Sequence, residues 1–237
     1  MLPLIALIAC LQSPSDAPAK PADAITATGA ERVEPTEEDC VRFRAAVEQI
    51  AIDDQKHRTA ISWGTTDPEE LAELEALDDD AHMAEWARRK AEGIRLDPDE
   101  EARLWELQNA LDEQNTRILM NLVERFGWPS EELLGEGTPD MTPVLIHMRP
   151  GDVGWVLPVL KREAMAERME PKQYAMIFDR KRQHDGRPQL YGTARMYDRA
   201  TNSVLPPEVV DIDQTNAARA EIGLGPLEEF RIAGAER

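Results

Sequence analysis

From residue 37 onward, apolar side chains recur at steps of three and four over most of the chain, the spacing that gathers them on one face of an α-helix. Phe43, Val47 and Ile50 form the first such face, behind a capping hydroxyl at Thr36 and acids at Glu37, Glu38 and Asp39, which predicts a helix over about 37–58. Asp67-Pro68-Glu69-Glu70 and Asp97-Pro98-Asp99-Glu100 give stronger starts, each with a capping carboxylate before a proline at the first helical position. The first should run to about Glu92, before Gly93; the second carries Leu104, Leu107, Leu111, Ile118, Leu122 and Phe126 and stops at Gly127. Beyond Trp128-Pro129 the segments shorten: brief helices at Ser130 and Thr142, then longer ones over about 152–168, 171–182 and 213–222. Between the last two, the alternation over 189–197, a turn over 198–203 and a return at Val204-Leu205 predict a hairpin. The fold class is therefore mainly α, a multi-helix domain with one small β-hairpin near the C-terminal end.

Upstream of this pattern the chain changes character twice. Its first nine residues are wholly apolar and lead into Leu7-Ile8-Ala9-Cys10, which resembles the lipobox of bacterial lipoproteins, where a small residue precedes the cysteine that is lipidated. Crossing about 30 Å of hydrocarbon as a helix takes about 20 residues, so residues 1–10 read as a processed signal and Cys10 as the lipidation site. One departure is that no Lys or Arg precedes the apolar run. Residues 11–35, rich in Ala, Pro, Ser and Thr, lack the apolar surface needed to offset ordering entropy and read as a disordered tether ahead of a single domain over 36–232. The expected address is the bacterial cell envelope, lipid-anchored to the membrane through Cys10 and facing the periplasm or exterior; the alternative is a cytoplasmic protein with a disordered N-terminus.

Charge narrows the function classes. With 27 basic against 46 acidic residues the net charge is −19, a field that repels phosphate backbones, so no nucleic-acid partner is expected. Much of the acid falls in a helical region at about 67–100 that reads as an insertion. The two cysteines, Cys10 and Cys40, form no CxxC pair, and no Gly-rich phosphate loop, HExxH or GxSxG occurs, so neither cofactor nor metal is expected. Asp78, Asp79, His82 and Glu85 stand at helical spacing but read as a solvated face rather than as metal ligands.

Polar residues that interrupt an apolar stripe are the sharpest internal pointers to a site. Asp54 extends the stripe of Phe43, Val47 and Ile50, and Asn115 falls between Leu111 and Ile118, so both should face inward. Burial of Asp54 needs a partner, and His57 and Arg58 are one turn away. An internal Asp54–Arg58 salt bridge, with Asn115 tying two helices together, is the structural reading of these positions. His147 sits inside Val144-Leu145-Ile146-His147-Met148, where it is either a satisfied core residue or an acid–base group. Asp179, Arg180 and Tyr191 would supply a carboxylate, a guanidinium and a phenol to it if the fold brings them together.

The C-terminal half resembles the bacterial family catalogued as domain of unknown function 6624. The resemblance is carried by Gly127-Trp128-Pro129-Ser130, by His147 in place of that family's Gln-His-Ala-Asp, and by Phe178-Asp179-Arg180. It continues through Gly186-Arg187-Pro188-Gln189-Leu190-Tyr191-Gly192-Thr193 and Gly223-Leu224-Gly225-Pro226-Leu227-Glu228-Glu229-Phe230. Upstream, Asp54-Gln55-Lys56-His57-Arg58 resembles the family's Asp-Gln-x-x-Arg, and Asn115 matches an Asn before its Gly-Trp-Pro; the likeness covers about 45–230, with 62–100 divergent. It implies a shared site without naming a chemistry. Ile146, Arg149 and Ala194 depart from the family pattern.

These readings converge on three hypotheses. One is a ligand- or partner-binding domain for a small ligand or an envelope protein, with a polar pocket around His147 lined by Asp54, Gln55, Arg58, Asn115, Arg180 and Gln189. Another is a hydrolase-like acid–base enzyme using His147 with Asp179 or Asp54, and Tyr191 or Arg180 stabilising an anion. The third is an interaction protein acting through its acidic surface.

Overall fold

The computed structural model describes residues 33–198 and 203–234; Cys10, the expected signal and nearly all of the expected tether lie outside the described residues. The fold is mainly α, with ten helices among the described residues and a small β-hairpin near the C-terminal end. No described helix is long and apolar enough to cross a membrane.

Helix α1 (Glu37–Gln55) starts at a reciprocal capping box between Thr36 and Asp39 and buries Phe43, Val47, Ile50 and Asp54. The expected continuation to residue 58 breaks at Lys56-His57, and α2 (Arg58–Trp63) follows as a separate turn and a half. The break has a physical cause on another helix. Gln108 Nε2 donates to the carbonyls of Asp53 and Asp54, both at 3.1 Å, and Gln108 Oε1 accepts the His57 amide at 2.9 Å. A side chain thus takes bonds that a continuous helix would satisfy internally.

The expected single helix over 67–92 is two, α3 (Pro68–Glu75) and α4 (Asp79–Glu92). Three aspartates in a row favour a start over a continuation, and Asp78 caps α4 through the Ala81 amide at 2.9 Å. The pair forms an arm whose root is fixed by Arg89, which donates to the Trp63 carbonyl at 3.0 Å and pairs with Glu70 and Glu85. Around that root, Ala60, Leu96 and Leu104 form a small apolar cluster with Ile61 and Leu71 packed on it. Gly64 ends α2 with φ +71°, and a β-carbon there would lie 2.8 Å from the Arg95 backbone, so the chain returning from α4 requires glycine.

Helix α5 (Pro98–Phe126) is the spine of the domain, and it is rotated relative to the face read from its leucines. Its buried stripe is Leu104, Gln108, Asp112, Asn115, Leu119, Val123 and Phe126, whereas Leu107 and Ile118 are 41% and 37% exposed. Helices α6 (Glu131–Leu134), α7 (Thr142–His147), α8 (Pro150–Met165) and α9 (Pro171–His184) close the main core, which centres on Phe43, Leu119, Met141, Leu145, Leu160 and Ile177.

The C-terminal segment folds back on α9. Strands β1 (Met196–Asp198) and β2 (Ser203–Leu205) pair antiparallel as the expected hairpin, while β3 (Glu208–Val209) pairs parallel with β4 (Arg231–Ile232) on either side of α10 (Ile212–Glu221). Residues 189–195, expected as strand, form an extended loop with one bridge, Gln189 to Val209.

Candidate functional site

The break between α1 and α2 turns Asp54 and Arg58 toward α5 and α7. His147, the last residue of α7, places Nδ1 2.9 Å from Oδ1 and 3.0 Å from Oδ2 of Asp54. Their side chains are 8% and 4% exposed. Gln55 Nε2 donates to Asp54 Oδ2 at 2.6 Å, and Arg58 Nη1 donates to the Asp54 carbonyl at 2.5 Å. The Asp54–Arg58 carboxylate contact itself is longer, 3.5 Å. Arg58 instead forks onto Asp112 of α5, with Nη1 to Oδ1 at 2.9 Å and Nη2 to Oδ2 at 2.5 Å. Gln108 completes the network by donating to Asp112 Oδ1 at 2.9 Å.

Four chain segments therefore meet in one buried polar cluster, held by a bidentate guanidinium–carboxylate pair, the strongest geometry available to such groups. Asn115 lies one turn beyond Asp112 on the same face, 3% exposed, with its Nδ2 unpartnered; the neighbouring Thr116 hydroxyl is likewise buried and unpartnered. At the end of α7, Arg149 bridges Glu113 of α5 at 2.6 Å and Asp152 of α8 at 3.1 Å, forming a charged rim beside the cluster. His57 takes part through its backbone, and burial followed by the charges of Lys56 and Arg103 pushes its imidazole below the usual histidine range.

The remaining predicted residues gather elsewhere, in a second buried unit. Asp179 of α9, fully buried, accepts the amides of Leu190 at 2.7 Å, Tyr191 at 3.0 Å and Thr193 at 3.0 Å, and the Thr193 hydroxyl at 2.8 Å. Gln189 closes the same loop on itself, donating to the Ala194 carbonyl at 2.6 Å and accepting the Ala194 amide at 2.8 Å. Because Ala194 is used only through its backbone, the departure from the family's side chain there leaves the loop intact. Gly192, φ +66°, sits where a β-carbon would meet Leu227 at 2.5 Å. Tyr191 packs edge-on against Phe178 and Tyr174; burial and a hydrogen bond with Tyr174 push its phenol above its ordinary range, so it is a neutral side chain at physiological pH. Arg180 follows Asp179 on α9 and is half-buried.

Three buried polar residues escaped the sequence reading. Gln108 and Asp112 lay hidden because the leucines at 107 and 111 suggested a different face of α5. Glu163, fully buried on α8, bonds Arg168 at 3.0 Å and accepts the Trp128 amide at 3.3 Å, anchoring the Gly-Trp-Pro turn. It stands on the stripe of Val156, Val159 and Leu160, so the criterion that found Asp54 would have found it too. The acidic set on α4 is engaged with protein: Asp78 caps, His82 packs edge-on to Trp63 at 4.6 Å, and Glu85 pairs with Arg88 and Arg89.

A family of unknown function, DUF6624, matches this chain over residues 80–234. The matched segment takes in Gln108, Asp112, Asn115, His147 and Asp179 but begins inside α4, leaving Asp54, Gln55 and Arg58 upstream. No curated protein and no solved structure matches the chain.

Proposed function

The chain belongs to the DUF6624 family of unknown function, and on that premise we propose that it is an envelope-tethered domain that binds a small polar ligand through His147. The observation that carries this reading is the contact of His147 Nδ1 with both oxygens of Asp54, which fixes the imidazole plane from one side. Asn115, with its buried unpartnered amide, and Arg149 on the rim add donors suited to a carbonyl, carboxylate or phosphate group. Support for the tether is the sequence Leu7-Ile8-Ala9-Cys10 followed by the Ala- and Pro-rich stretch, outside the described residues.

The test is a thermal-shift screen of small anions and carbonyl compounds against wild type and His147→Asn. Compounds that stabilise wild type and not the variant support the site. A screen in which every hit stabilises both equally removes it. Cys10→Ser with membrane fractionation tests the address: the wild type should sediment with membranes and the variant should not.

A second reading, acid–base catalysis, is favoured by one specific feature: a carboxylate on Nδ1 at 2.9 Å is the arrangement that orients a histidine for proton transfer. In this reading Asp54, rather than Asp179, is the orienting carboxylate. Turnover of any hit, lost in both His147→Asn and Asp54→Asn, separates catalysis from binding.

A further inference from the structure

The α3–α4 arm bounds an open groove of about 510 Å³ between its two helices, with Glu85, Arg88 and Arg89 on the α4 rim. Its floor is apolar, formed by Leu74, Leu77, Ala81 and Ala84, and its α3 rim carries Glu70 and Glu73. The two alanines allow close approach of another backbone, and Ala84 is exposed. From residue 67 to 80 the chain has eight acidic residues and no basic one. On the α4 side the cations are committed within the arm, Arg89 to Glu70 and Glu85, and Arg88 to Glu85 and Glu92.

We infer that this groove docks a basic amphipathic segment of a partner protein, its apolar stripe on Leu74, Leu77, Ala81 and Ala84 and its Lys or Arg residues over Glu73 and the neighbouring exposed carboxylates of α3, Glu69 and Glu75. An amphipathic helix in an apolar groove is a recurrent recognition mode, and the charge selects the occupant. A second copy of this chain would set one acidic face against another, and an anionic lipid surface would meet the same repulsion. The site is independent of His147.

The experiment uses the full chain and three labelled peptides: leucines at helical spacing with lysines elsewhere, the same composition shuffled so that no face is apolar, and the first pattern with glutamate for lysine. Fluorescence anisotropy at about 0.15 M salt reads affinity. The patterned Leu/Lys peptide should bind at least about tenfold tighter than either control. Ala84→Gln, which raises the floor without changing charge, and Glu73→Lys, which reverses the rim, should each weaken it by about tenfold. Both positions are exposed, so folding is preserved, and a matching thermal transition verifies this. Equal binding of the shuffled peptide, indifference to Ala84→Gln, or sedimentation showing a dimer that Ala84→Gln dissolves would each overturn the proposal.

Discussion

His147 Nδ1 straddles the Asp54 carboxylate, 2.9 Å from one oxygen and 3.0 Å from the other, although the two residues stand 93 positions apart in the chain. The contact joins α1 to α7 inside the domain, where neither group is left to water. Asp54→Ala removes the acceptor shared by His147 and Gln55 and is expected to cost about 3–5 kcal/mol, the range for breaking a buried pair. Asp54→Asn keeps the shape and one acceptor and should cost about 1–3 kcal/mol. Urea unfolding of both variants checks the order; equal and small losses would mean that the pair adds nothing to stability.

Arg58 and Asp112 form the centre of the same cluster, and their coupling is measurable. Arg58→Met leaves Asp112 buried without its guanidinium, and Asp112→Leu removes the carboxylate that both Nη atoms of Arg58 grip, so each should cost about 3–5 kcal/mol. The double variant should be less destabilised than the sum by at least about 1 kcal/mol. Strict additivity in a denaturant double-mutant cycle would sink the coupling.

Asp179 holds its loop through three amides and one hydroxyl. Asp179→Ala strands these donors and should lower stability by about 3 kcal/mol. Hydrogen exchange should speed up most at Leu190, Tyr191 and Thr193, by more than the increase that the lost global stability gives the helical core. An increase no larger in the loop than in the core would contradict a local role.

Acid should loosen the α3–α4 arm. Arg88, then Arg89, hold the Glu85 carboxyl down to about 2, and Thr65, then Arg89, lower Glu70. A carboxylate whose folded pKa lies below its ordinary value stabilises fully above that value, here 4.5. That contribution is lost as pH falls from about 4.5 to about 2. Exchange of arm amides followed between those pH values should rise in wild type, and Glu85→Gln should already show the acid level at neutral pH. A flat profile in wild type would count against the ion pairs.

How much of this was legible in the chain depends on the range of each interaction. Caps and prolines act within four residues, so the starts of α1, α3, α5 and α6 fall where Thr36, Asp67, Asp97 and Ser130 place them. The inward direction of Asp54 and Asn115 also followed from local periodicity. The break after Gln55 did not, because it is made by Gln108, about fifty positions away. The same distance hid the true partners of Arg58. On α5, apolar spacing misled because the buried face carries Gln108 and Asp112 in a network that supplies their hydrogen bonds, while Leu107 and Ile118 are left partly in water. The candidate site divided for a related reason: Asp179 lies within a dozen positions of Gln189 and Tyr191, and Asp179 and Gln189 hold the loop over 189–194 rather than the Asp54–His147 pair.

The carboxylate of Asp179 reads amide groups, which nearly every amino acid possesses. Much of the path of residues 190–193 is therefore written in a helix eleven positions upstream, through backbone groups that do not depend on the side chain at Leu190. Such a division makes the loop permissive and its anchor unforgiving: Leu190 can drift with little effect on the route, but a change at Asp179 erases the route at once. A lineage could vary Leu190 without renegotiating the loop's shape, so long as Asp179 on α9 and, within the loop, Gln189 and Gly192 stayed still.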